Sequence, residues 1–215
     1  MNWKLPNQLT VGRLFLAGVF FVLLGMYELP PACERAWLLN VCFALYIVAG
    51  ITDVLDGYLA RRWNLTSAFG RITDPFVDKV LVCGAFALLA GNNFALNGSQ
   101  SDFEQHLPRW VNGGMASGVQ AWMVVAVIAR EFIVSGVRGY SESQGKKFPA
   151  TVWGKLKLFT QSVAICTVLF QLANVPRPDW AVVVKLAVVW VSVVVTVLSG
   201  LAYVNKARRL LVGDE

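Results

Sequence analysis

Six apolar runs, at residues 14–27, 35–62, 68–91, 119–140, 151–174 and 180–204, constrain this chain more than any other feature, and their few charges sit toward one end. About 20 such residues in a helix cross a hydrocarbon core about 30 Å thick. A barrel would instead alternate apolar and polar positions over about ten residues. Residues 181–184 and 186–198 do not alternate. Only 15% of the 215 residues are charged and 56% are hydrophobic, whereas a soluble domain carries roughly a quarter charged. The expectation is an all-α integral membrane protein of one domain, residues 1–215, with six transmembrane helices. A short N-terminal amphipathic juxtamembrane helix is expected to precede them: MNWKLPNQLTVGRL places Trp3 and Lys4 where an interfacial helix needs them. Pro6, Asn7 and Thr10 suit a helix start. Arg13 abutting an apolar run also invites a signal-peptide reading, but Glu28-Leu29-Pro30-Pro31 reads as a turn rather than a small-residue cleavage site.

Net charge is +6, which suits either nucleic acid or an anionic membrane face. The basic residues flank the apolar runs, so the membrane reading is taken and no nucleic-acid partner is expected. With six spans, Lys4, Arg13, Arg61, Arg62, Arg71, Lys146, Lys147, Lys206, Arg208 and Arg209 share one side. By the positive-inside rule that side, with both termini, faces the cytoplasm. The loop 92–118, rich in Gly, Asn and Ser, falls on the other side and reads as flexible. Cys33, Cys42, Cys83 and Cys166 lack metal-ligand spacing, and the single His106 lies in a polar loop.

Against this background, residues 51–80, ITDVLDGYLARRWNLTSAFGRITDPFVDKV, hold four aspartates. Asp53 and Asp56 are three apart and Asp74 and Asp78 four apart, so each pair shares a helix face. The short turn at 63–67 makes the two helices an antiparallel hairpin with all four acids near its tight end. Gly57, Ala60 and Gly70 leave room for close approach. Clustered carboxylates suit hard divalent cations, and the Arg61 fork suits a phosphate. The plainer alternative is that the acids cap helices or pair with Arg61, Arg71 and Lys79. Ionisable residues inside a span are costly, which favours a functional reading.

The pattern Asp53-x2-Asp56-Gly57-x2-Ala60-Arg61-x8-Gly70-x3-Asp74-x3-Asp78 resembles the complete signature of the CDP-alcohol phosphotransferase family. LPNQLTVGR, ARRWN, DPFVDKVLV, IAREFIVSGVR and GKLK are further similar to its bacterial phosphatidylglycerophosphate synthase branch. The resemblance implies transfer of a phosphatidyl group from CDP-diacylglycerol to sn-glycerol 3-phosphate, releasing CMP. It also implies two Mg2+ (or Mn2+) ions held by Asp53, Asp56, Asp74 and Asp78, with Asp78 as general base. Gly57, Ala60, Arg61, Ser67 and Gly70, with Thr10 and Arg13, would hold the CDP-diacylglycerol headgroup. A homodimer in the bacterial cytoplasmic (inner) membrane follows from the same resemblance.

A phosphorylated acceptor needs its own cations. Arg130 and Arg138, about two turns apart on one helix, and Lys155 on the next are the candidates for the glycerol 3-phosphate pocket. Snorkelling to the interface is their alternative role, and it fits Lys157, Lys146 and Lys147 better. Ser192, Thr196 and Ser199 read as packing contacts. Three rival functions stay open. The same donor serves cardiolipin, phosphatidylserine and phosphatidylinositol-phosphate synthases. Intramembrane prenyltransferases use differently spaced aspartate clusters and release pyrophosphate. A divalent-cation transporter would carry acids nearer the bilayer midplane.

Overall fold

A computed structural model describes residues 5–29, 36–63, 68–96, 106–144, 152–176 and 178–212. Six long helices dominate the described residues: α1 (Leu5–Gly25), α2 (Ala36–Trp63), α3 (Ala68–Leu89), α4 (Ala121–Ser143), α5 (Val152–Asn174) and α6 (Asp179–Val212). The amphipathic lead-in and the first apolar run form one helix here, unbroken from Leu5 to Gly25. Pro6 lies in its first turn, where a missing N–H has no intrahelical partner to disappoint. α3 runs through Pro75, which has no N–H to give the carbonyl of Arg71.

Apolar stretches long enough to cross a membrane run over Ala36–Leu55, Trp153–Asn174 and Asp179–Asn205 among the described residues. α1 and α3 carry shorter ones, Val11–Gly25 and Lys79–Leu89. Charged residues break the apolar run of α3 in its first half, at Arg71, Asp74 and Asp78. α4 is interrupted likewise by Arg130, Glu131 and Arg138. α2 has 28 residues, about 42 Å at 1.5 Å per residue, and so exceeds a hydrocarbon core of about 30 Å. The signature residues Asp56 to Arg61 follow on its closing turns.

The bundle interior is apolar, with Phe20, Leu24, Leu39, Phe86, Ile165 and Leu169 essentially inaccessible. α1 packs on α2 and α3, α5 on α2 and α6, and α4 on α3 and α6. Gly84 lets α1 and α3 approach: a Cβ there would come within 2.4 Å of the Phe21 ring. The outside is apolar too, with Phe15, Val54, Val125, Phe132 and Phe159 all at least 65% exposed. Such a surface belongs against lipid rather than water, and the protein is a membrane protein.

Contacts sort the helix ends into two faces. At one face α1 meets α2 through Arg13 and Asp53, α3 meets α4 through Lys79 and Ser135, and α4 meets α6 through Arg130 and Ser199. At the opposite face Asn40 of α2 bonds Asn174 of α5 at 2.8 Å. The described part of the loop expected to be flexible is tied down there. Ala95 bridges Met115, the Ser117 hydroxyl donates to Leu89 O at 2.6 Å, and the Trp190 indole donates to Val111 O at 3.0 Å. The fully buried Lys185 ammonium donates to Ala116 O. Glycine freedom serves tight turns here: Gly113 closes the helical turn Arg109–Asn112 at φ 66, and Gly118, at φ 70, packs beneath Leu186.

Candidate active site

Of the residues singled out from sequence, Asp53, Arg13 and Arg130 have their described contacts at the first of these faces. Asp53, half-exposed on α2, forms an ion pair with Arg13 of α1, which is 2% exposed. Two residues 40 apart and assigned to different ligands thus meet directly. Asp56, Gly57, Ala60 and Arg61 follow in the closing turns of α2, while Gly70, Asp74 and Asp78 lie in the opening turns of α3. The helical backbone keeps each acid pair on one face. The side chains from 56 to 78 lie outside the described residues, as does that of Thr10, and Ser67 lies wholly outside them.

The cluster around Arg130 differs in detail from the sequence reading. Arg130 and Glu131 are both buried on α4 and bonded to each other, Nη1 to Oε1, at 2.9 Å. The same Oε1 accepts from Lys157 Nζ of α5 at 2.5 Å. Arg130 Nε donates to Ser199 Oγ of α6 at 3.0 Å, and its guanidinium lies 5.5 Å from the centroid of the Tyr203 ring, within cation–π range. A Cβ at Gly200 would press on Arg130 Cγ at 3.1 Å, so a small residue at that position leaves the arginine stem its room.

Arg138, two turns further along α4, is partly buried, and its Nε is a buried donor with no partner among the described residues. A buried unpaired donor is costly, and an anionic ligand would satisfy it. Lys155 is exposed on α5. Lys157, two positions on and therefore about 200° around the helix, is the lysine that turns inward. On the α3 side, Lys79 donates to Ser135 Oγ, which donates to Glu131 O at 2.6 Å. The residue after Asp78 is thereby tied to the helix that carries Arg130. A polar seam continues between α5 and α6, where Gln161 Nε2 donates to Thr196 Oγ1 at 2.9 Å.

Sequence reasoning missed Lys157, Ser199 and Tyr203 as members of this cluster. Lysines near span ends usually snorkel, and a serine in a valine-rich span usually bonds its own helix. The available signal was Glu131, a carboxylate beside Arg130 deep in an apolar run, which required a further cation from elsewhere.

The profile of one protein family, described as CDP-alcohol phosphatidyltransferase, matches residues 3–198. The chain belongs to the CDP-alcohol phosphatidyltransferase family. Its family-wide match takes in the aspartate hairpin and the Arg130–Glu131–Lys157 cluster, while Ser199 and Tyr203 lie just past it. Among similar proteins, a CDP-diacylglycerol–glycerol-3-phosphate 3-phosphatidyltransferase of Bacillus subtilis (strain 168) is 31% identical over 214 residues, covering 95% of each chain. Proteins of the same name in Salmonella typhimurium (strain LT2) and Shigella flexneri are 33% and 34% identical over 211 residues, covering 97% of each chain. As in those relatives, the enzyme is a phosphatidyltransferase of a membrane lipid pathway.

Proposed function

We propose that this enzyme transfers the phosphatidyl group of CDP-diacylglycerol to sn-glycerol 3-phosphate, forming phosphatidylglycerophosphate and CMP. The observation that carries the reading is kinship over essentially the whole chain with transferases named for that reaction. The gathering of buried cations at the face that bears the aspartate hairpin supports it, because both substrates are anionic.

The donor set fits divalent ions. Asp53 is a hard oxygen ligand, half-exposed on α2 and paired with Arg13. Asp53, Asp56, Asp74 and Asp78 would hold two Mg2+ or Mn2+ ions, which when bound neutralise charge on the diphosphate and the leaving CMP. Asp78 accepts the proton of the glycerol 1-hydroxyl as that oxygen bonds to the lipid-side phosphorus and the bond to the CMP oxygen breaks. Gly57, Ala60, Arg61, Ser67 and Gly70 cradle the nucleotide, with Thr10 and Arg13 at the headgroup. Arg130, Arg138 and Lys155 receive the acceptor phosphate, and Arg138 brings an unmet donor to it.

In this reading all six long helices sit in the bacterial cytoplasmic membrane as spans, with residues 5–13 of α1 at the interface. The aspartate face and both termini are cytoplasmic, and the protein works as a homodimer. Purified protein given CDP-diacylglycerol and magnesium, with glycerol 3-phosphate, serine, inositol phosphate or phosphatidylglycerol offered singly, tests the assignment. CMP release and phosphatidylglycerophosphate with the first acceptor are expected. Turnover with another acceptor alone rejects it.

A further inference from the structure

Arg130 and Glu131 are neighbours in the chain, about 100° apart around α4, an arrangement in which side chains do not ordinarily face each other. Both lean toward α5 and α6 because partners there receive them: Lys157 for the carboxylate, Ser199 and Tyr203 for the guanidinium. All three charged groups are buried, at 8%, 7% and 4% exposure for Arg130, Glu131 and Lys157. Such burial is costly unless each group is paired. Two cations share one carboxylate oxygen, so the single charge of Glu131 is divided between Arg130 and Lys157.

The sharing has an electrostatic consequence. Alone with Arg130, Glu131 would neutralise it and make it a poor anion receptor. With Lys157 on the same Oε1, the carboxylate orients the guanidinium without cancelling its attraction for a phosphate. Of the five N–H donors of an arginine, one on Nε and one on Nη1 are committed to Ser199 and Glu131. Nη2 and the second Nη1 hydrogen have no partner among the described residues. A guanidinium held along one edge presents the other in a fixed direction, which is what two-pronged recognition of a phosphate requires.

We propose that Glu131, Lys157 and Ser199 are positioning residues for Arg130, set by three helices so that its remaining N–H groups meet the phosphate of the acceptor. The proposal rests on the reading above that the acceptor is a phosphorylated alcohol. It adds three residues to that pocket, one of them beyond the span that the family profile matches.

The test is a split between the two substrates. In purified enzyme, Lys157→Met raises KM for glycerol 3-phosphate about tenfold or more, while KM for CDP-diacylglycerol stays within about threefold. Lys157→Arg, which keeps the charge, restores the acceptor KM to within about threefold of wild type. Ser199→Ala removes the hydrogen bond to Arg130, together with the hydroxyl's own bond to Thr196 O, without altering charge balance, and it raises the acceptor KM about threefold to tenfold with the same selectivity. Should Lys157→Met fail to fold, Ser199→Ala and Lys157→Arg still decide. Equal effects on both substrates, or a lowered melting temperature with unchanged acceptor KM, overturn the proposal. Calorimetric binding of glycerol 3-phosphate reads the same arm without turnover: it weakens in Ser199→Ala, and unchanged affinity overturns the proposal. If the wild type uses a different phosphorylated acceptor, the functional reading fails while the positioning role is measured with that acceptor. Turnover with serine alone sinks both.

Discussion

At the scale of single residues, the pairing of Arg13 with Asp53 is informative because its members differ in exposure. Arg13 is buried at 2% and Asp53 is 45% exposed, so the carboxylate, not the guanidinium, is the accessible member of the pair. That polarity suits an acid that also serves a cation from water. Removing divalent ions with EDTA should abolish CMP release, and magnesium or manganese should restore it without refolding. Activity that persists in thorough chelation would remove the ion-holding role from all four aspartates. Asp78→Asn should lower kcat by about 10²- to 10⁴-fold, the usual contribution of a general base, while CDP-diacylglycerol still binds within a few-fold of wild type. Near-normal turnover in this variant, measured by CMP release, would assign proton abstraction elsewhere.

At the scale of elements, two contacts set how the helices that carry the site approach one another. Lys79 and Ser135 join α3 to α4, the helix that carries Arg130. Gly84 brings α1 against α3 by accepting the Phe21 ring where a side chain would stand. Gly84→Val should therefore destabilise the folded protein by about 1–3 kcal/mol through overpacking, read as a lower melting temperature in detergent. Phe21→Ala in the same chain should recover part of the loss, because it vacates the space the valine needs. Additive losses in the double variant would show that the two positions do not share that space.

At the scale of the whole molecule, α1 to α6 alternate in direction, and their contacts separate a charged face from one sealed by the loop around Val111, Ala116 and Ser117. Topology is testable by labelling intact cells. In a background with Cys33, Cys42, Cys83 and Cys166 replaced, Trp110→Cys should react with a membrane-impermeant maleimide, and Gln144→Cys should react only after permeabilisation. Both positions are exposed and lie on opposite faces. The reverse pattern would invert the orientation and place the aspartates outside.

The sequence by itself determined the helical class, the membrane setting and the family, because each is carried by local spacing. Apolar run lengths follow from bilayer thickness, and the signature falls within 26 consecutive residues from Asp53 to Asp78. Tertiary structure alone decided which distant side chains meet. Arg13 finds Asp53, Lys157 rather than Lys155 turns inward to Glu131, and Ser199 receives Arg130 from 69 residues away. Helix periodicity says which residues share a face but not which neighbouring helix that face will meet. In an apolar bundle, a buried charge takes whichever partner the packing brings within reach.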